Sequence, residues 1–525
     1  MSENHQMTRA AGVVGSSTLL SRIFGYIRDM VFAWFFGAGL VSDAFIAAFQ
    51  IPNLLRRLFG EGSLSIAFIP VFTEYLTKYG KKEAFRLASS ALRLLSVILV
   101  FIAILGIAIS PFIIKLIAPG FYLSPEKYEL TVTLTRIMFP YIIFICLVAL
   151  SMGILNALGH FAAPALAPVL LNITMIGSLF IVSFFSNSQE HKVLGLAIGV
   201  LAGGILQLSF QVPFLLKKGF YFWEKTKIFH PGLKKIGTLM LPAIFGAAVY
   251  QVNIIVGRML ASMLAEGSVS YLYYADRLVQ FPLGIFAIAT ATAALPTLAK
   301  QSSLLDIDGL RNTFTHALNL VFFIAIPSMT GLIVLREPIV ALLFKRGAFD
   351  ALATQKTATA LMYYGFGLWA FSGVRIVVSA FYAMQDTKAP VRIAVISILA
   401  NILLGLLLMM RLDHGGLALA TSIASMLNLG LLLKALRKKI GFLGWRNITM
   451  PTCKTVLCSV IMGIIVWIVS ICIIPSIEIS FLNTLFGLLG CILTGIIVYV
   501  LASFLFRSSE LIKIADVVIN RARRR

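Results

Sequence analysis

Seven charged residues crowd one otherwise apolar stretch. They are Arg22, Arg28 and Asp29 in SRIFGYIRD, Asp43 in FGAGLVSDAF, and Arg56, Arg57 and Glu61 in PNLLRRLFGEG. A charge at the centre of a bilayer costs about 2.5–3.5 kcal/mol on insertion scales. Four arginines turned to lipid would therefore cost on the order of 10 kcal/mol, so they must face protein or a water-filled cavity. A cavity lined with guanidinium groups suits an anionic passenger. Arginine fits a diphosphate better than lysine does, because its planar fork meets two oxygens at once and stays charged. Asp276 and Arg277, in YYADRL, give the second half of the chain an acid–base pair of its own. At 1.5 Å per residue, Arg28 and Arg277 each lie roughly 12 Å below the outer ends of their segments. Arg22 and Arg56 lie deeper, and Asp43 is close to the outer mouth. Arg22 and Arg28 are six residues apart, about 120° around a straight helix. Either the cavity wraps the first segment or Gly25 bends it. The competing reading is structural, with Arg28 paired to Asp29 or Asp43, Arg57 to Glu61, and Arg277 to Asp276. Arginine outnumbers acid in the cluster, so that reading leaves positive charge over.

The elements that must position these groups are membrane helices. The chain has 525 residues, 59% hydrophobic and 12% charged, with a mean hydropathy of +0.95. That composition belongs to a polytopic membrane protein. The net charge of +23 reads as basic cytoplasmic loops beside anionic lipid rather than as a nucleic-acid surface, and no nucleic-acid partner is expected. Apolar runs long enough to span predict fourteen segments: 10–36, 41–77, 87–118, 130–158, 162–186, 193–216, 236–262, 269–299, 313–344, 355–384, 389–410, 415–436, 452–473 and 482–506. The second is long and holds Gly60 and Gly62, where a break is expected. Connections after odd segments hold about six Lys and Arg, among them Lys127; those after even segments hold about twenty. By the positive-inside rule both termini are cytoplasmic. The N-terminus, MSENHQMTRAAG, lacks the features of a cleaved signal peptide.

The chain repeats itself. Pro70 precedes Pro296 by 226 residues, Pro164 precedes Pro390 by 226, and Pro111 and Gly120 precede Pro338 and Gly347 by 227. The expected fold is all-α, with two six-helix lobes related by a parallel repeat, a site between them, and an extra C-terminal helix pair. The corresponding ranges are 1–218 for the N-lobe, 219–235 for a basic linker, 236–440 for the C-lobe, 441–510 for the extra pair and 511–525 for a basic tail.

Other chemistry finds little support. The five cysteines have neither metal nor disulfide spacing. The six histidines form no ligand pattern, and there is no GxxxxGK[ST] loop for ATP. No catalytic metal and no enzymatic triad is expected. Arg93, Lys115, Arg136 and Arg336 read as snorkelling cations. Arg258 and Arg375 are lone cations, with cavity lining and snorkelling equally open. Asn253, Asn401 and Thr421 are candidate cation ligands, against the commoner role of interhelical hydrogen bonding.

The motifs SRIFGYIRD, FGAGLVSDAF, PNLLRRLFGEG and YYADRL, in this order, resemble the MurJ (MviN) family, lipid II flippases of the multidrug/oligosaccharidyl-lipid/polysaccharide (MOP) exporter superfamily. The resemblance spans the whole chain. It implies movement of undecaprenyl-diphosphate-linked disaccharide-pentapeptide from the cytoplasmic to the periplasmic leaflet of a bacterial inner membrane. It also implies substrate-handling roles for Arg22, Arg28, Asp29, Asp43, Arg56, Arg57, Glu61 and Arg277, and a lipid-tail groove at segments thirteen and fourteen. Gln50 stands where some members have Lys. The expected partners are lipid II and the bilayer, for a monomer working beside the cell-wall synthesis machinery. No cofactor is expected; membrane potential or a monovalent cation are the open alternatives for resetting the empty carrier. The rival readings are a flippase for another polyprenyl-diphosphate oligosaccharide, a cation-coupled multidrug exporter, and a membrane-embedded enzyme acting on polyprenyl phosphates.

Overall fold

The computed structural model describes residues 3–57, 64–222, 229–442, 444–473 and 481–512, and among them every regular element is helical. Glu61 and the break expected at Gly60 and Gly62 lie outside the described residues, as does the basic tail from residue 513. The chain divides into two compact units, Met1–Val269 and Ser270–Arg525.

The first unit holds α1 (Glu3–Phe36), α2 (Leu40–Leu55), α3 (Leu64–Lys78), α4 (Gly80–Ala108), α5 (Ser110–Ile117), a 3-10 turn (Pro119–Leu123), α6 (Pro125–Met138), α7 (Tyr141–Ala157), α8 (Ala162–Phe185), α9 (Gln189–Lys217) and α10 (Pro231–Ser262). The repeat assigns α10 to the second lobe, yet it is counted in this first compact unit. Proline sets several boundaries, because it lacks an N–H and clashes with the preceding turn. Pro111 sits in the first turn of α5, Pro125 opens α6, and Pro140 caps α7. The runs expected at 87–118 and 130–158 are therefore each a pair of helices. By contrast, α1 runs as one helix through Gly25. Glycine spacing also fixes how closely helices approach. Gly195, Gly199 and Gly203 form a stripe on α9 against Val182, Ser178 and Thr174 of α8, where an added Cβ would come within 2.2–2.5 Å of a side-chain atom. Such stripes let membrane helices pack backbone to backbone.

Gly120 meets backbone rather than a side chain. A Cβ there would lie 2.0 Å from Ser262 O and 2.6 Å from Met263 Cα, and its N–H donates to Ser262 Oγ at 3.3 Å. Backbone cannot swing aside as a side-chain tip can. Gly120→Ala is expected to push the 3-10 turn off the end of α10 and cost about 1–3 kcal/mol, the range of overpacking. A lowered melting temperature of the purified protein checks this; an unchanged one contradicts it.

The second unit begins within α11 (Ser268–Pro282). It continues through a π turn (Leu283–Ala287), α12 (Ile288–Ser303), α13 (Ile307–Val334), α14 (Arg336–Phe344), α15 (Ala351–Gly365), α16 (Leu368–Ala383), α17 (Lys388–Ile440), α18 (Trp445–Ile473) and α19 (Phe481–Leu505). Its core joins Leu298, Phe314, Leu318, Val377, Phe381 and Leu436. α17 is two helices across a kink at Asp413, where φ is 48°. Ser397 Oγ donates to Ala424 O at 2.5 Å. In a straight helix those residues would be about 40 Å apart, so the halves fold back on each other, as the separate segments 389–410 and 415–436 require. Lys439, near the end of α17, bonds Asp386 at 2.6 Å. That hydrogen bond, with backbone donors from Ala389 and Lys388, holds the Asp386 carboxyl below its ordinary range. α18 and α19 pack through Cys458, Met462, Val466 and Cys491, and Tyr499 Oη donates to Phe323 O at 2.7 Å.

Nine helices among the described residues are long and apolar enough to cross a membrane, or ten if the α15–α16 pair, bent by 43°, counts as one span. Large apolar side chains such as Phe101, Phe184, Trp467 and Phe504 are exposed. On a water-soluble protein such surfaces would drive aggregation; on a multi-pass protein they meet lipid.

Candidate substrate-binding site

Arg28 is held on two sides. Its Nε and Nη2 donate to Asp29 Oδ1 at 3.1 and 2.7 Å, and its Nη1 donates to Asn172 Oδ1 of α8 at 3.0 Å. Consecutive residues on a helix do not face each other, so the arginine must fold back along α1 to reach Asp29. The side chains are 11% and 5% exposed, deep enough that each charge needs its counterpart. Asn172 was not singled out among the candidate residues. The available signal is that it is the one amide in the apolar run of α8. Arg22 lies on another side of the continuous α1, is half-buried, and forms no ion pair among the described residues.

Asp43 is held by a lysine and a backbone amide. Its Oδ2 accepts from Lys127 Nζ of α6 at 2.7 Å and from the Gly267 amide at 2.9 Å. The two side chains are 1% and 9% exposed, and the ammonium lies 4.2 Å from the Phe121 ring centroid. Lys127, counted above as a loop lysine, is instead in the first turn of α6 and buried. Glu266 joins the same corner by accepting from the Leu40 amide at 2.8 Å, while the Gly39 amide is taken by Ser42 Oγ at 2.8 Å. Two amides at the start of α2, those of Gly39 and Leu40, are thus closed by a local serine and a distant glutamate. Together these bonds tie the α1–α2 turn to the turn after α10.

Arg56 and Arg57 follow α2 in a π turn. Arg56 Nε and Nη2 donate to Asn53 Oδ1 at 3.1 and 2.8 Å, one helical turn back in the same PNLLRR motif. Arg258 of α10 is not a lone cation: its Nη1 donates to Ile46 O of α2 at 3.2 Å. Arg136 donates to Ser110 Oγ at 3.1 Å. In the second unit, Arg277 Nη2 donates to Tyr273 Oη at 3.2 Å, with the guanidinium 5.0 Å from that ring centroid. Asp276 accepts from Gln280 Nε2. Arg375 is exposed. Thr421 Oγ1 bonds locally to Leu417 O. Among the described residues no three His, Cys, Asp or Glu side chains come together as metal ligands.

The first unit therefore holds Arg28, Arg56 and Arg258 on short polar tethers among apolar helices. Tethered guanidinium groups orient oxyanions; they supply no nucleophile. Two units of long apolar helices make a multi-pass helical membrane protein. Its fold is shared with an inward-facing multidrug resistance MATE family transporter of the MOP superfamily, with a TM-score of 0.67 and 16% identity over 82% of this chain and 98% of that one. That likeness is one of fold alone.

The chain belongs to the MurJ family: the family model described as lipid II flippase MurJ matches residues 32–487. A "Probable lipid II flippase MurJ" of Vibrio cholerae serotype O1 is 40% identical over 82% of this chain and 83% of its own length. A solved "Lipid II flippase MurJ, inward closed conformation" matches with a TM-score of 0.78 and 31% identity, over 94% of this chain and 98% of that one. Asp43, Arg56, Arg57, Asp276 and Arg277 fall within the family match; Arg22, Arg28 and Asp29 precede it.

Proposed function

We propose that this protein is a lipid II flippase, carrying the undecaprenyl-diphosphate-linked disaccharide-pentapeptide from the cytoplasmic to the periplasmic leaflet by alternating access. The observation that carries the reading is the family match over residues 32–487. The helices group into fourteen spans in two lobes plus a final pair, with both termini cytoplasmic; the proline repeat and the lysine and arginine bias of the loops support this. Arg22, Arg28, Arg56, Arg57 and Arg277 draw in the diphosphate and sugar head while the prenyl tail stays in lipid, along α18 and α19. The Asp43, Lys127 and Gly267 contacts close the outer ends of the helices, and release of the head to the outside breaks them.

Resetting the empty carrier depends on its net charge. Asp29 already balances Arg28, so a membrane potential must act on other cations, of which Arg22 is one. Each uncompensated charge gains about 2.3 kcal/mol per 100 mV. A monovalent cation is the alternative driver.

The test is binding by the purified protein. Undecaprenyl diphosphate is expected to bind and compete with lipid II, and organic cations are not. Binding of organic cations in preference to the diphosphate lipid would reassign the protein as a multidrug exporter of the same superfamily.

A further inference from the structure

We propose that Asn172 is a positioning residue for substrate, holding the Arg28 guanidinium in place while the contact with Asp29 is exchanged for the diphosphate. The inference rests on the reading of Arg28 as a diphosphate ligand. Asn172 is 6% exposed, and a buried amide must satisfy both of its ends. Its Oδ1 accepts from Arg28 Nη1 at 3.0 Å, and its Nδ2 donates to Ser21 O at 3.3 Å. Those partners settle which end is which: turned over, the amide would set Nδ2 against the donors of Arg28 and Oδ1 against a carbonyl. Ser21 and Arg28 are seven residues apart on an unbroken helix, hence about 20° apart around its axis. One side chain of α8 thus bridges two turns of α1. Gly25 lies between them, its Cβ position 3.9 Å from Asn172 Nδ2. A longer side chain at that position would crowd the amide away from the Ser21 carbonyl.

Asp29 and Asn172, both acceptors from Arg28, differ in kind. Asp29 is an anion, so an incoming diphosphate of higher charge competes for the same guanidinium edge. Asn172 is neutral, and the diphosphate gains much less by displacing it. The Nη1 bond therefore persists through the exchange, and the plane of the fork stays fixed when the phosphate oxygens arrive. Without that tether the guanidinium loses a neutral partner that the diphosphate does not displace.

The experiment measures the affinity of the full-length protein for undecaprenyl diphosphate, alongside its melting temperature. Asn172→Leu, of similar volume, is expected to weaken binding about tenfold, the scale of one hydrogen bond to a charged group. Arg28→Lys keeps the charge but loses the fork. In that background the same substitution is expected to change affinity by less than about twofold, because the two residues act as one unit. A tenfold loss in both backgrounds means that Asn172 only packs α1 on α8, and overturns the proposal. So does an Asn172→Leu protein that binds as wild type while Arg28→Lys binds poorly. If Arg28→Lys and Asn172→Leu both bind as wild type, Arg28 is not a diphosphate ligand and the parent reading falls with this one.

Discussion

Lys127→Met is expected to destabilise the protein by about 3–5 kcal/mol, because it breaks a buried ion pair from one side. Asp43 is 1% exposed on its side chain. The Gly267 amide at 2.9 Å offsets only part of a full negative charge. Methionine keeps the length and apolar contact of the lysine stem, so the loss reports the charge rather than a cavity. The partner change makes the point sharper. Asp43→Asn in the same protein removes the buried negative charge and is expected to recover much of the stability. Asp43→Asn alone leaves Lys127 with only the Phe121 ring and should lie between. Melting temperatures of the four proteins in one detergent decide it. If Lys127→Met melts with the wild type, the pair contributes nothing net, and the corner is held by Leu40, Glu266 and the backbone instead.

The second large effect concerns transport. In cells whose only flippase is this protein, Arg28→Ala and Arg277→Ala are each expected to abolish periplasmic exposure of lipid II at matched expression. Losing a charge-assisted contact to a diphosphate is worth about 1.5–3 kcal/mol, or roughly tenfold to a hundredfold in affinity. Arg28→Lys should fall between wild type and alanine, since it restores charge without the fork. Arg28→Ala also removes a buried ion-pair partner of Asp29, so folding in the membrane must be checked for each variant. If both alanine proteins flip normally, the arginines are packing devices and the proposed mechanism is wrong, whatever the family.

Much of this architecture is written locally. Hydropathy sums over neighbours, so the apolar runs mark the membrane helices whatever they pack against. Proline acts on its own turn, which is why Pro111, Pro125 and Pro140 end or begin helices. Arg28 with Asp29, one of the two pairings the sequence left open, and Arg56 with Asn53 are contacts between residues one and three apart.

Other features depend on which helices meet. Lys127 follows Pro125 and Glu126 in a polar stretch, so it reads as a solvated loop lysine; only the docking of α6 on α2 buries it against a carboxylate 84 residues away. Gly267 reaches the same carboxylate across 224 residues. Asn172 finds Arg28 across 144, and Arg258 finds Ile46 across 212. A single amide or cation in an apolar run advertises that it needs a partner, but its own sequence cannot say which one. The sequence by itself determined that this is a basic, multi-pass helical protein with arginines that lipid cannot accept. The tertiary structure alone decided how those charges are compensated, because burial and pairing follow from the contact between helices and not from the composition of either.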